Sequence, residues 1–128
     1  NIALCYHCNF GYPLVCEGAK IVNVPEEIAE ITDPIHNRAA ENIPVDYSDD
    51  VVTVGIENHE FGAYITYERD TLPDFLVWKM LDESDYVVSL EPRTTVLGGQ
   101  KLIDNNKFVM LKPFEEYKTK LKFEVKSK

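Results

Sequence analysis

One histidine and one glutamate stand where strand geometry would present them for proton transfer. His7 lies in the alternating run 2–10, on one face with Ala3, Cys5 and Asn9. That face is small and polar and suits a groove, while Leu4, Tyr6 and Phe10 on the opposite face suit a core. Glu91 closes the run 86–91, on the same face as Val87 and Ser89. Pro92 after it is expected to end the ladder, leaving the carboxylate at a strand terminus of the kind that opens into a cleft. A histidine and a carboxylate facing each other across a small-molecule groove form an acid–base pair, one removing a proton while the other supplies one. The plain alternatives are a hydrogen-bonded strand histidine and a solvated strand-end glutamate. Asn9, next to His7 on its face, is a candidate ligand-binding side chain.

Three further residues could hold a ligand. Trp78, the sole tryptophan, could stack on the C–H face of a sugar ring or fill the core with Leu76 and Met80. Periodicity puts it on the side of those two residues and favours the core. Lys79 points the other way with Phe75 and Val77, so its ammonium either snorkels to water or reaches a ligand oxygen. Arg93 could clamp a hydroxyl or carboxylate, although an arginine in a loop is commonly solvated.

Cys5-x-x-Cys8 with His7 nearby raises the question of a metal. Residues three apart on an extended strand point to opposite faces, and no second cysteine pair follows, so no metal site is expected. The third cysteine, Cys16, makes the number odd, and residues 17–128 hold none. Reduced thiols in a reducing compartment, the cytoplasm, are the expectation.

The elements that must position these residues are strands. Period-two alternation marks 2–10, 19–24, 51–57, 62–69, 75–81, 85–90, 107–112 and 117–125. The segment Asn58-His59-Glu60-Phe61-Gly62 reads as a hairpin loop. In the last run Tyr117, Thr119, Leu121, Phe123 and Val125 share a face, and Lys118, Lys120, Lys122 and Glu124 form a solvated one. Residues 25–50 break the rhythm with Pro25, Pro34 and Pro44 and two helix-compatible pieces, 26–31 and 38–41. A connection this long suggests a functional lip or an irregular excursion. The expected fold is a single all-β domain over 1–128, an antiparallel β-sandwich.

Composition fits one domain: 128 residues, 45% apolar and 27% charged. No apolar run approaches the ~20 residues that cross a bilayer. With 13 Lys and Arg against 22 Asp and Glu, the net charge is −9, which argues against nucleic acid as a partner. The chain opens on Asn1 directly into a strand-like run, which reads as part of a longer or matured chain.

Three stretches resemble the aldose 1-epimerase (galactose mutarotase-like) superfamily, in particular an uncharacterised bacterial branch of it. The first is Tyr6-His7-Cys8-Asn9-Phe10-Gly11-Tyr12-Pro13-Leu14. The second runs from Leu72-Pro73 through Trp78-Lys79-Met80 to Asp85-Tyr86-Val87-Val88-Ser89-Leu90-Glu91-Pro92. The third is Leu111-Lys112-Pro113-Phe114-Glu115-Glu116, followed by a strand.

The resemblance implies a portion of a β-supersandwich with a sugar in a concave sheet groove. His7 would act as general acid on the ring oxygen and Glu91 as general base on the anomeric hydroxyl, with no cofactor or metal. The match is to the C-terminal half only, so the family's first histidine and its sugar-clamping arginine have no counterpart here. The implied partners are a small sugar and either an N-terminal half or a second copy in a homodimer. Phe114 stands where the closing turn has Gly, so that turn is expected to take another conformation. The rival readings are a carbohydrate-binding or sensing module without turnover, and an incomplete scaffold that associates through a sheet edge.

Overall fold

The computed structural model describes residues 1–96, 104 and 108–128. Two four-stranded antiparallel sheets face each other. One has the order β1-β7-β6-β3, built from Cys8–Phe10 (β1), Tyr86–Arg93 (β7), Asp74–Leu81 (β6) and Glu41–Pro44 (β3). The other has the order β2-β4-β5-β8, built from Lys20–Val22 (β2), Val51–Glu57 (β4), Phe61–Glu68 (β5) and Leu121–Ser127 (β8). A single helical turn, α1 (Glu26–Ala29), follows Pro25. The chain is an all-β antiparallel sandwich, as its periodicity indicates.

Alternation decides what each sheet turns inward. Val52, Val54 and Ile56 of β4 and Ala63, Ile65 and Tyr67 of β5 meet Phe75, Val77, Val88 and Leu90 from the opposing sheet. The Tyr67 and Phe75 rings stack across the interface, 5.8 Å between centroids. On the outside of the second sheet, the hydroxyls of Thr53 and Thr66 bond at 2.8 Å across their shared register position. Asn58 ties the β4–β5 hairpin: its Oδ1 accepts from the backbone N–H groups of Glu60 and Phe61 at 2.8 and 2.9 Å.

Several expectations are corrected. β3 lies inside the expected excursion at 25–50, with Glu41 in the strand rather than in a helix-compatible piece. Pro44 is tolerated because β3 is an edge strand. Of the run expected at 107–112, Lys107 lies outside the described residues and 108–112 form only an isolated bridge, Val109 to Ile2. Pro92 does not end its ladder: β7 stays paired with β6 through Arg93, with Pro92 opposite Phe75. The Pro92 carbonyl accepts from Tyr6 N–H at 3.0 Å, so the missing N–H of the proline falls on the β1 side. It is there that pairing thins to an isolated bridge between Cys5 and Arg93. Phe114 adopts φ 65°, the left-handed conformation favoured by glycine, so the closing turn keeps that geometry without one.

The sandwich is open along one flank. β8 ends its sheet and β1 ends the other, and Phe10 of β1 stacks on Phe123 of β8 at 6.2 Å. Phe123 and Val125 lie opposite the inward-facing Ile65 and Ala63, so they too face inward. Yet they are 57% and 61% exposed: among the described residues the first sheet ends at β1, whose Phe10 covers Phe123 only in part.

Tyr64 covers two glycines of this hairpin. A Cβ on Gly55 would lie 2.6 Å from the carbonyl oxygen of Ala63, inside van der Waals contact with backbone. Gly55→Ala is therefore expected to destabilise the fold by about 1–3 kcal/mol, read as a lower urea midpoint with an unchanged m-value.

Candidate functional site

The first sheet's outer face carries the site, and register puts it together. Cys8 pairs with Leu90 and Cys5 with Arg93, so His7 between them stands opposite Glu91. The next row along the sheet runs Asn9, Ser89, Trp78 and Asn42. His7, Asn9, Ser89, Glu91 and Trp78 therefore share one face.

His7 Nε2 lies 3.5 Å from Glu91 Oε2. The two differ sharply in access: the His7 side chain is 50% exposed and that of Glu91 only 4%. The other ring nitrogen, Nδ1, is 2.7 Å from Asn9 Oδ1 and 3.0 Å from Ser89 Oγ. In the tautomer protonated at Nδ1, that nitrogen donates to Asn9 Oδ1, which only accepts. The imidazole is thereby oriented with Nε2 toward the carboxylate, where its second proton can be held or released. Trp78 meets the ring edge-on, 5.7 Å between centroids. This face can hold an uncharged polar ring against Trp78 while a donor and an acceptor of protons sit side by side.

Glu91 is thus not the open strand-end carboxylate expected from Pro92. It sits within β7 and is buried, opposite Leu76 of β6 and beside Cys5, whose Sγ donates to Oε1 at 3.5 Å. Trp78 is likewise not core filling. Phe75, Val77 and Leu81 fill the core, while Leu76, Trp78 and Met80 form the outer side of β6. Both faces of this inner strand are apolar, so alternation divides its residues into two sets without saying which set faces inward.

Lys79 is not brought to this face. It points inward with Val77, and its Nζ donates to the carbonyls of Ile28 and, at 2.9 Å, Glu30. Burial first, and then the charge of Arg38, lower its pKa, while Glu41 and Glu30 act in the opposite sense. The ammonium meets neither water nor a groove; it caps the carbonyl end of α1. Arg93 is no solvated loop residue either. As the last residue of β7 it is buried, and its Nε donates to the carboxylate of Asp74 directly across on β6. It lies on the face of Glu91 with its guanidinium already engaged by that carboxylate.

Residue type singles out neither Ser89 nor, apart from the metal question, Cys5. Both were visible by parity, Ser89 as the neighbour of Glu91 on its face and Cys5 as the neighbour of His7. Cys5, Cys8 and Cys16 are free thiols. Among the described residues no three His, Cys, Asp or Glu side chains gather as a metal set would, and no helix is long and apolar enough to cross a membrane.

A family model described as a domain of unknown function, DUF4432, matches residues 1–125. The chain belongs to the DUF4432 family. Its fold is that of a crystal structure from Klebsiella pneumoniae described as a candidate aldose 1-epimerase, at a TM-score of 0.83 and 20% identity. The alignment covers 96% of this chain and 38% of that one, so the DUF4432 chain spans well under half the length of its structural neighbour. No curated protein matches it in sequence. At this identity the likeness establishes an aldose-epimerase-like fold.

The position of Lys79 makes it separable from the site. Lys79→Met strands the carbonyls of Ile28 and Glu30 and is expected to cost about 1–3 kcal/mol in urea unfolding. Any ligand bound beside Trp78 should keep its affinity in that variant, measured by titration of tryptophan fluorescence.

Proposed function

We propose that this protein binds a hexose or related sugar on the outer face of the β1-β7-β6-β3 sheet and interconverts its anomers. The observation that carries this reading is the His7–Glu91 pair, 3.5 Å apart beside Trp78, on a fold shared with a candidate aldose 1-epimerase.

The spacing suits the chemistry. The ring oxygen and the anomeric hydroxyl of a cyclic sugar share one carbon, so an acid and a base in contact with each other can serve both. Glu91 takes the proton of the anomeric hydroxyl as that oxygen forms a carbonyl with C1. The C1–ring-oxygen bond breaks, and the ring oxygen takes the Nε2 proton of His7. C1 then turns about its bond to C2. In closure, His7 recovers a proton from the chain hydroxyl as it attacks C1, and Glu91 returns its own to the carbonyl oxygen. Protons balance over the cycle, and every step is an acid–base transfer or a bond rotation. Asn9 and Ser89 orient the imidazole, and Trp78 offers its ring to the C–H face of the sugar. Arg93, paired with Asp74, shapes the groove wall beside Glu91.

The open flank supports a further part of this reading. Phe123 and Val125 face inward yet are exposed, and the structural neighbour has chain beyond the aligned 38%. A further portion of polypeptide, from the same protein or a second copy, would cover them by adding a strand beyond β1 and thereby wall the groove next to His7. The same observation favours binding without turnover as the second reading for these 128 residues taken alone.

Saturation-transfer NMR on a panel of free hexoses separates the two. Turnover predicts faster anomer exchange, reduced about 10²–10⁴-fold in Glu91→Gln and in His7→Ala. Binding alone predicts sugar contacts with no acceleration. Exchange that is accelerated equally by both variants would remove the pair from the mechanism.

A further inference from the structure

We propose that Cys5 is a positioning residue for Glu91, its thiol holding one carboxylate oxygen so that the other is presented to the groove. The proposal rests on the reading of Glu91 as the base and assigns a role to a side chain which that reading does not use.

The two oxygens of Glu91 have different neighbours. Cys5 Sγ–H donates to Oε1 at 3.5 Å, and His7 Nε2 lies 3.5 Å from Oε2. A carboxylate free at both oxygens can rotate about its terminal bond and offer either one; held at Oε1 by the thiol, it keeps Oε2 toward His7. Backbone register puts the two side chains within reach of each other. Cys5 stands opposite Arg93 and two residues before His7, so its side chain falls on the outer face, diagonal to Glu91. A thiol is also a weak donor, so it steers the carboxylate without competing for the proton that the oxygen is to receive.

The sulfur must stay protonated to donate, and although the residue is exposed, its surroundings favour the thiol. The charged and titratable groups facing it are Glu91 and Arg93 on β7 and His7 next to it on the same face, with Cys8 nearby on the opposite face of the strand. Its pKa is pushed up to about 11, first by burial and then by the charge and hydrogen bond of Glu91, with Cys8 adding and Arg93 opposing. The sign follows: removing the Glu91 charge lowers the thiol pKa and increases the thiolate at a given pH.

Two measurements on the intact protein test this. The first is the pH profile of iodoacetamide alkylation at Cys5, located by peptide fragmentation, in wild type and Glu91→Gln. The expected result is a profile displaced to lower pH in the variant, with Cys5 alkylated several-fold faster at pH 8. The second is anomer exchange in Cys5→Ala and Cys5→Ser. Cys5→Ala should lower kcat about 3–10-fold, the scale of one hydrogen bond, at nearly constant KM, and Cys5→Ser should restore most of it. In a Glu91→Gln background Cys5→Ala should have no further effect. Coincident alkylation profiles, or a serine variant no better than alanine, would overturn the proposal. If the wild type exchanges no sugar, the reading of Glu91 as a base fails, and the alkylation shift still decides whether Cys5 is bonded to Glu91.

Discussion

The register of β1 against β7 is the constraint on which the site depends. Cys8 opposite Leu90 and Cys5 opposite Arg93 leave His7 opposite Glu91, and a slip of one residue would turn His7 into the core. What holds the register is the inward row. Phe10 and Cys8 of β1 pack with Val88 and Leu90 of β7 against the other sheet. Burial of apolar side chains on one face thus fixes the placement of reactive ones on the other.

A carboxylate buried like Glu91 is costly unless its oxygens are satisfied. Cys5 bonds one, and His7 stands at ion-pair distance from the other, while Ser89 and Asn9 hold the far side of the imidazole. Neighbouring Arg93 is neutralised by Asp74, so it does not compete for Glu91. The result is an asymmetric pair, a shielded carboxylate under a half-exposed imidazole. On the proposed reading, a sugar arriving from solvent would meet the half-exposed histidine before the buried glutamate.

How much of this was legible in the sequence depended on contrast between the two faces of each strand. β4 and β5 alternate cleanly where they matter, and the candidate pair His7 and Glu91 followed from parity on two short runs. β6 has no such contrast, so periodicity puts Trp78 with the core residues and leaves Lys79 between water and a ligand. Only the sheet order shows that Val77 and Lys79 face inward. β3 was hidden because Glu41-Asn42-Ile43-Pro44 carries a proline that an edge strand tolerates and a central one does not. The burial of Arg93 depended on a partner 19 residues away, which only the β6–β7 register brings across. Pro92 misled for a subtler reason: a missing N–H interrupts pairing on one side of a strand, and the sequence does not say which side.

Trp78 provides the most direct test of the central claim, that the outer face around His7 and Glu91 is where a sugar binds. It is the sole tryptophan and lies 5.7 Å from the His7 ring, so its fluorescence reports on that face alone. Titration with hexoses should give a saturable change for at least one sugar, with affinity weakened in His7→Ala. A flat response across the panel, or a saturable one indifferent to His7, would contradict the account.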